Sequence, residues 1–362
     1  MDFANLQRQY LNYQNDIDKK LKAVLNRSNY IMGSEVSELE SSLELFTGAK
    51  YAISCSSGTD ALTLSMMSMN IQPDDEIITT PFSFISTAEA ISFLKAKPVF
   101  VDIEADTFNI DVNKIELAIT RKTKAIMPVS LFGQPSDLNA IQLIAEKNNL
   151  KVIIDGAQSF GSVYNGKMDS SLGDIATTSF FPAKPLGCYG DGGAIFTNND
   201  EYAAKLKMLR VHGQNKKYEH KYIGMGGRLD TIQAAILLAK LPYFKQELVK
   251  RQNIADKYSE ALYNYFRTPT IKPGRTSSWA QYTIRVKNRD DIQIKLKEKG
   301  IPTAVYYPVP LHLQECFKYL SYEKGDLPIA ENASKEVLSL PINAFMQTEI
   351  DLVVRNLIDL TK

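Results

Sequence analysis

Three cysteines and three histidines in 362 residues leave little material for a disulfide framework or a metal centre. Cys55, Cys188 and Cys316 are odd in number, far apart and without CxxC spacing, and the histidines show no ligand spacing. An excess of one charge is also missing. With 42 Lys and Arg against 41 Asp and Glu, the net charge of +1 gives no electrostatic reason to expect nucleic acid or an acidic membrane as partner. No apolar run approaches the length of a membrane span. The N-terminal MDFANLQRQY lacks the basic and apolar regions of a signal peptide. Repeats and low-complexity segments are absent. These absences predict a metal-independent cytoplasmic protein.

What is present is an alternation of short apolar runs with helix-like segments. YAISC (51–55), EIITT (76–80), PVFVDI (98–103), KAIMPVSLF (124–132), KVIID (151–155), ATTSFF (176–181) and GGAIFTN (192–198) read as strands. Segments such as GTDALTLSMMSMN, STAEAISFLKA and DLNAIQLIAEKNN lie between them. The pattern predicts an α/β fold whose mostly parallel sheet is covered on both faces. A helical connector over 228–266, interrupted at Pro242, is expected to lead into a smaller α+β domain. The expected division is 1–244 and 245–362. The second part shows strands at WAQYTIRV and IPTAVYY, a helix at RDDIQIKLKEKG and a closing helix from Glu349.

Ligands of such sheets sit beyond the carboxyl ends of the strands, so the residues just after each strand carry the functional information. SCSSGTDAL places Gly58 and Thr59 at a strand-to-helix turn, where backbone amides and a hydroxyl suit a phosphate; a plain helix cap, which needs only one of those residues, is the competing reading. Asp155 and Gln158 follow the strand KVIID, and a helix-capping aspartate is the competing reading. Phe82 and Phe84 follow another strand, where one aromatic can stack on a planar ring and the other can be core. In SFFPAKPLGCYGDGG, Lys184 stands among aromatics, prolines and glycines. Desolvation there would lower its pKa and favour a nucleophilic amine, whereas a loop lysine reaching water is the plain alternative. Taken in order, these are the parts that hold pyridoxal 5′-phosphate (PLP). GDGGA does not sit between a first strand and helix with dinucleotide-loop spacing, which argues against a nicotinamide dehydrogenase.

The chain resembles the DegT/StrS family of sugar-nucleotide aminotransferases, which has the fold type I architecture of aspartate aminotransferase. The likeness rests on GSEVSELE, SCSSGTDAL, DEIITTPFSFISTAEAI, DGAQSFG, SFFPAKPLGCYGDGG, RLDTIQAAIL and VYYPVPLHLQ, and runs essentially end to end. It is closest to the branch that aminates C3 of UDP-N-acetyl-3-oxo-glucuronate for bacterial surface polysaccharides. The resemblance implies PLP as cofactor, with pyridoxamine 5′-phosphate as its alternate form. It also implies L-glutamate as donor, a keto-sugar nucleotide as acceptor, and a homodimer with active sites at the interface.

By position, it makes Lys184 the cofactor-bearing lysine and proton shuttle, and Asp155 the partner of the ring nitrogen. Gln158 would contact the ring hydroxyl, Phe84 the ring face, and Gly58, Thr59 and Ser179 the phosphate. Arg228, Tyr306, Tyr307 and His312 would face substrate. Two departures stand out. Gly226 occupies the crossing-loop position where the family commonly has an asparagine on the partner's cofactor phosphate. Tyr306 and Tyr307 stand where this branch is expected to carry a histidine, which weakens the uronate assignment and leaves a 3-oxo or 4-oxo 6-deoxy sugar open. Lys184 argues against the family's dehydratases, which carry histidine there. The complete residue set argues against a PLP-free regulatory module.

Overall fold

The computed structural model describes residues 1–360, so the last two residues of the expected second domain lie outside it. Seven strands form one sheet: β1 (Tyr51–Cys55), β2 (Glu76–Thr79), β3 (Lys97–Phe100), β4 (Thr123–Ile126), β5 (Lys151–Asp155), β6 (Ile175–Ser179) and β7 (Gly193–Thr197). Their spatial order is β1-β7-β6-β5-β4-β2-β3. All neighbours pair in parallel except β7, which is antiparallel to both β1 and β6. Cys55 and Ser179 both pair with Gly193, so the ends of β1 and β6 and the start of β7 share one edge with Asp155. A Cβ on Gly193 would lie 2.4 Å from the Ser57 carbonyl oxygen, so only glycine lets the chain after β1 approach this edge.

β3 and β4 are shorter than the apolar runs that announced them. Beyond them the chain keeps isolated ties to the sheet, from the Val101 amide to the Thr79 carbonyl and from the Met127 amide to the Ile78 carbonyl. Val129 still makes a parallel bridge to Asp155, and this brings the β4–α5 connection against the end of β5.

Helices cover the sheet: α1 (Leu6–Arg27), α2 (Ser34–Thr47), α3 (Gly58–Ser68), α4 (Ser86–Phe93), α5 (Leu138–Lys147), α6 (Asp200–Leu209) and α7 (Thr231–Leu262). The predicted break at Pro242 does not occur; α7 is continuous over 32 residues. An interior proline costs roughly 3 kcal/mol through a lost hydrogen bond and a ring clash. Burial on both sides of it, from Ala234 to Lys240 and again at Phe244 and Glu247, holds the helix together.

Two cores share α7. Phe244 and Leu248 pack into the sheet core with Phe160 and Phe180. Ile254, Ala255, Tyr258 and Leu262 pack into a second core with Tyr282, Leu296, Leu338 and Val353. The second core is built on the antiparallel pair β8 (Tyr282–Arg285) and β9 (Val337–Leu340) with α8 (Arg289–Glu298) and α10 (Glu349–Asp359), while α9 (Pro328–Glu336) packs Ala330 and Ala333 in a cluster with Phe82 and Phe132. The strand predicted at IPTAVYY is instead a loop with a single bridge, Ala304 to Ser339. It turns away from the sheet and delivers its two tyrosines to the main cavity.

Candidate active site

A cavity of about 580 Å³ opens where the carboxyl edge of the sheet meets the second core. Its wall includes Gly58, Thr59, Phe84, Asp155, Gln158, Ser179 and Lys184, residues scattered over more than a third of the chain. The start of α3 lies hard against the end of β6, since a Cβ on Gly58 would meet the Ser179 Cβ at 2.7 Å. Ser57 caps α3 by accepting from the Asp60 amide at 3.0 Å, which leaves Thr59 free to face the cavity. The Thr59 hydroxyl lies 2.7 Å from that of Ser86, and the Ser179 hydroxyl accepts from the Phe181 amide at 3.2 Å.

Asp155 ends β5 and is 4% exposed. One carboxylate oxygen accepts from the Thr87 hydroxyl at 2.7 Å, the other from the Ala157 amide at 3.2 Å. Thr87 is in turn 2.8 Å from the Ser83 hydroxyl. No cation of the described residues pairs with this carboxylate. Gln158 accepts from the Phe132 amide at 2.7 Å and donates to the Tyr307 hydroxyl at 3.1 Å.

Lys184 sits in a tight loop whose ends close through hydrogen bonds from Cys188 to Phe180 and from Phe180 to Gly192. A Cβ on Gly187 would be 2.4 Å from the Pro182 carbonyl oxygen, so the loop folds back on itself only with glycine there. From behind, the buried Lys240 ammonium donates to the Gly187 carbonyl. The Lys184 ammonium has no hydrogen-bond partner among the described residues. Burial lowers its pKa, while the Asp155 carboxylate opposes the shift.

The two phenylalanines separate cleanly. Phe82 is fully buried beside Phe108, whereas Phe84 is 55% exposed at the cavity wall with its ring 6.4 Å from that of Tyr307. Tyr306 and Tyr307 both line the cavity, and burial raises the pKa of each phenol. Arg228 and His312 are not brought in. Arg228 lies on the segment before α7, outside the cavity wall, without an ion pair among the described residues. His312 is packed, 3.2 Å from the Glu331 carboxylate and edge-on to Tyr322, because the loop carrying it folds onto α9 rather than toward Lys184.

Sequence reading missed Thr87 and Ser83, whose signal was their place in the TPFSFISTAEA turn facing Asp155. It also missed the far wall, where Gln9 donates to the Glu247 carboxylate at 3.0 Å and Arg251 donates to the Trp279 and Ile342 carbonyls. Gln9, Glu247 and Arg251 lie within helices, and only the tertiary fold aims them at the cavity. No group of His, Cys, Asp and Glu able to hold a metal occurs among the described residues.

The DegT/DnrJ/EryC1/StrS aminotransferase family model matches residues 12–358. The chain belongs to this family. It is 47% identical, over 96% of both chains, to UDP-2-acetamido-2-deoxy-3-oxo-D-glucuronate aminotransferase of Pseudomonas aeruginosa. It is 43% identical to dTDP-3-amino-3,6-dideoxy-alpha-D-galactopyranose transaminase of Aneurinibacillus thermoaerophilus, over 96% of this chain and 95% of that one. Among solved structures, NtdA from Bacillus subtilis with bound cofactor PMP superposes with a TM-score of 0.93 at 34% identity, covering all of this chain and 85% of that one. The fold is therefore the expected fold type I α/β architecture, and the cavity lies at the sheet edge of a family aminotransferase.

Proposed function

We propose that this family member transfers the amino group of L-glutamate to a keto group of a nucleotide-linked sugar, C3 of UDP-N-acetyl-3-oxo-glucuronate being the first candidate, with PLP as cofactor. The observation that carries the reading is one cavity holding an unpartnered lysine, a cation-free buried carboxylate and a hydroxyl-lined helix start. This donor set fits PLP. Asp155 has no cation of its own, and a protonated ring nitrogen would supply one. The α3 amides, with the Thr59 and Ser179 hydroxyls, suit its phosphate. Phe84 would offer a ring face, Gln158 would reach the ring hydroxyl, and Lys184 would supply the amine that carries the cofactor.

Held by these residues, PLP would supply an electron sink for the pair released when the donor's Cα–H bond breaks. Lys184 removes that proton and delivers one in the second half-reaction. Its lowered pKa places more of the amine in the neutral, proton-accepting form. Asp155 stabilises positive charge on the ring, held in orientation by Thr87 and the Ala157 amide. Tyr307, fixed by Gln158, closes the wall against water.

A second reading, an acceptor without the carboxylate such as a 3-oxo or 4-oxo 6-deoxy sugar on UDP, dTDP or GDP, draws on a specific observation. Among the described residues, Lys184 and Arg251 are the only cationic side chains on the cavity wall, and Arg251 is engaged with two backbone carbonyls.

The reading includes a cytoplasmic homodimer. The exposure of Phe84 and Phe181 at the cavity, and of Tyr218 and Ile223 on the loop before Arg228, supports a second copy covering the mouth and bringing Arg228 to it. No helix among the described residues is long and apolar enough to cross a membrane. A division into residues 1–244 and 245–362 belongs to the same reading, supported by the change of core along α7.

The test is release of 2-oxoglutarate from L-glutamate by the PLP-loaded protein, first with the 3-oxo-glucuronate nucleotide and then with the deoxy-sugar series. Turnover with the uronate supports the first reading, and turnover confined to deoxy sugars supports the second. A protein that takes up no PLP overturns both.

A further inference from the structure

Asp169 is fully buried, and nothing in the chemistry above uses it. It sits on a short 3-10 turn directly behind the Asp155–Ser159 segment. Its carboxylate accepts from the Ser159 hydroxyl and, at 3.3 Å, from that of Ser170. The Ser130 hydroxyl, buried and without a hydrogen-bond partner of its own among the described residues, is near enough to favour the charged form of the carboxylate. No cation among the described residues pairs with it. Such burial is costly, and three serines compensate only part of it, so Asp169 protonates more readily than a free aspartate, at about 7.

Both flanks of Asp155 run through these serines. The Ser159 amide donates to the Gly156 carbonyl at 3.1 Å and closes the turn that holds Asp155 and Gln158. On the other side, the Ser130 amide donates to the Asp155 carbonyl at 3.0 Å. Between them Gly156 is pinched: a Cβ there would lie 2.8 Å from the Thr177 carbonyl oxygen, 3.2 Å from the Ser159 hydroxyl and 3.8 Å from the Asp169 carboxylate. The turn therefore cannot be stiffened by a side chain of its own. Its rigidity comes from the strong acceptor behind it.

We propose that Asp169 is a positioning residue for the cofactor: through Ser159 it locks the Asp155–Gln158 turn, so that the two side chains meant for the pyridine ring are already in place before it binds. The inference rests on the PLP reading of the cavity, and it acts through Ser159 and never touches the ring.

The experiment uses the full chain with Asp169→Ala, which removes the acceptor, and, should that variant fail to fold, Ser159→Ala, which removes the same bond from the other end. Two quantities are read: PLP affinity from the visible absorption on titration, and hydrogen exchange of the apoprotein at amides 157–159 against those of β5. Either variant should bind PLP roughly ten- to a hundredfold more weakly, in line with a buried group left without its hydrogen-bond partner. Exchange should quicken at 157–159 and stay unchanged in β5. Combining the two substitutions should add little to either alone. Variants that match the wild type in both affinity and exchange overturn the proposal, as does faster exchange spread evenly over the sheet. Absence of PLP uptake by the wild type would instead overturn the reading of the cavity, while the exchange comparison would still test the lock.

Discussion

The Thr87 hydroxyl donates to the Asp155 carboxylate at 2.7 Å, joining the first turns of α4 to the end of β5 across 68 residues of sequence. Asp155 is thereby oriented by a neutral donor, and its charge stays available for a cationic ligand. Thr87→Val keeps the shape and removes the hydroxyl. PLP affinity should fall about tenfold or more, given 1–3 kcal/mol for a buried acceptor left short of a donor. Thr87→Ser should restore most of it. Titration of both apoproteins with PLP checks this, and equal affinity of the valine variant and wild type would refute it.

Lys184→Ala should abolish glutamate-dependent 2-oxoglutarate release, by at least about 10²–10⁴-fold as expected for loss of a positioned proton carrier. Thermal stability should hold or rise, because the desolvated ammonium has no hydrogen-bond partner to lose. Melting curves of the two apoproteins decide whether the lysine is there for chemistry or for the fold.

At Gly58, helix propensity and packing point in opposite directions. Alanine is the better helix former by about 1 kcal/mol. Its Cβ, however, would approach the Ser179 Cβ to 2.7 Å. Gly58→Ala should therefore lower stability by roughly 1–3 kcal/mol, the usual cost of overpacking. The separation of α3 from β6 should also weaken PLP binding. Denaturant unfolding that shows net stabilisation would mean that the contact relaxes freely.

Lys240 gives a pH signature. Burial lowers its pKa to about 8, with the Glu247 carboxylate opposing the shift. Between about pH 8 and the ordinary lysine value, the unfolded chain then holds more protons than the folded one. The lysine's destabilising contribution is thus full below pH 8 and relieved as pH rises, at up to about 1.4 kcal/mol per pH unit. Lys240→Met should remove that rise relative to wild type while leaving the Gly187 carbonyl without its donor. Urea unfolding of both proteins from pH 7 to 10 measures the difference, and parallel curves would count against it.

The sheet was legible because its strands are uninterrupted apolar runs with helix-length spacing, a pattern that burial on both faces imposes. The residues at the strand ends were legible for a related reason: glycine and proline at Gly58, Pro185 and Gly187 mark where the backbone must turn sharply beside a strand. Pro242 misled because a local penalty of a few kcal/mol was outweighed by packing on both sides of α7, which only the tertiary fold reveals. IPTAVYY misled for the opposite reason, since its β-forming composition reflects aromatic side chains lining a cavity. Thr87, Glu247 and Arg251 lie within helices, where nothing in the local sequence separates a side chain facing a site from one facing a core.

Because α7 runs unbroken from one core into the other, the two are held in a fixed rotational phase. One residue inserted between Leu248 and Arg251 would turn everything beyond it by about 100°. Glu247 and Arg251, now neighbours on one wall, would then point in different directions. Such a chain could retain every residue of the site and both of its cores and still have no site.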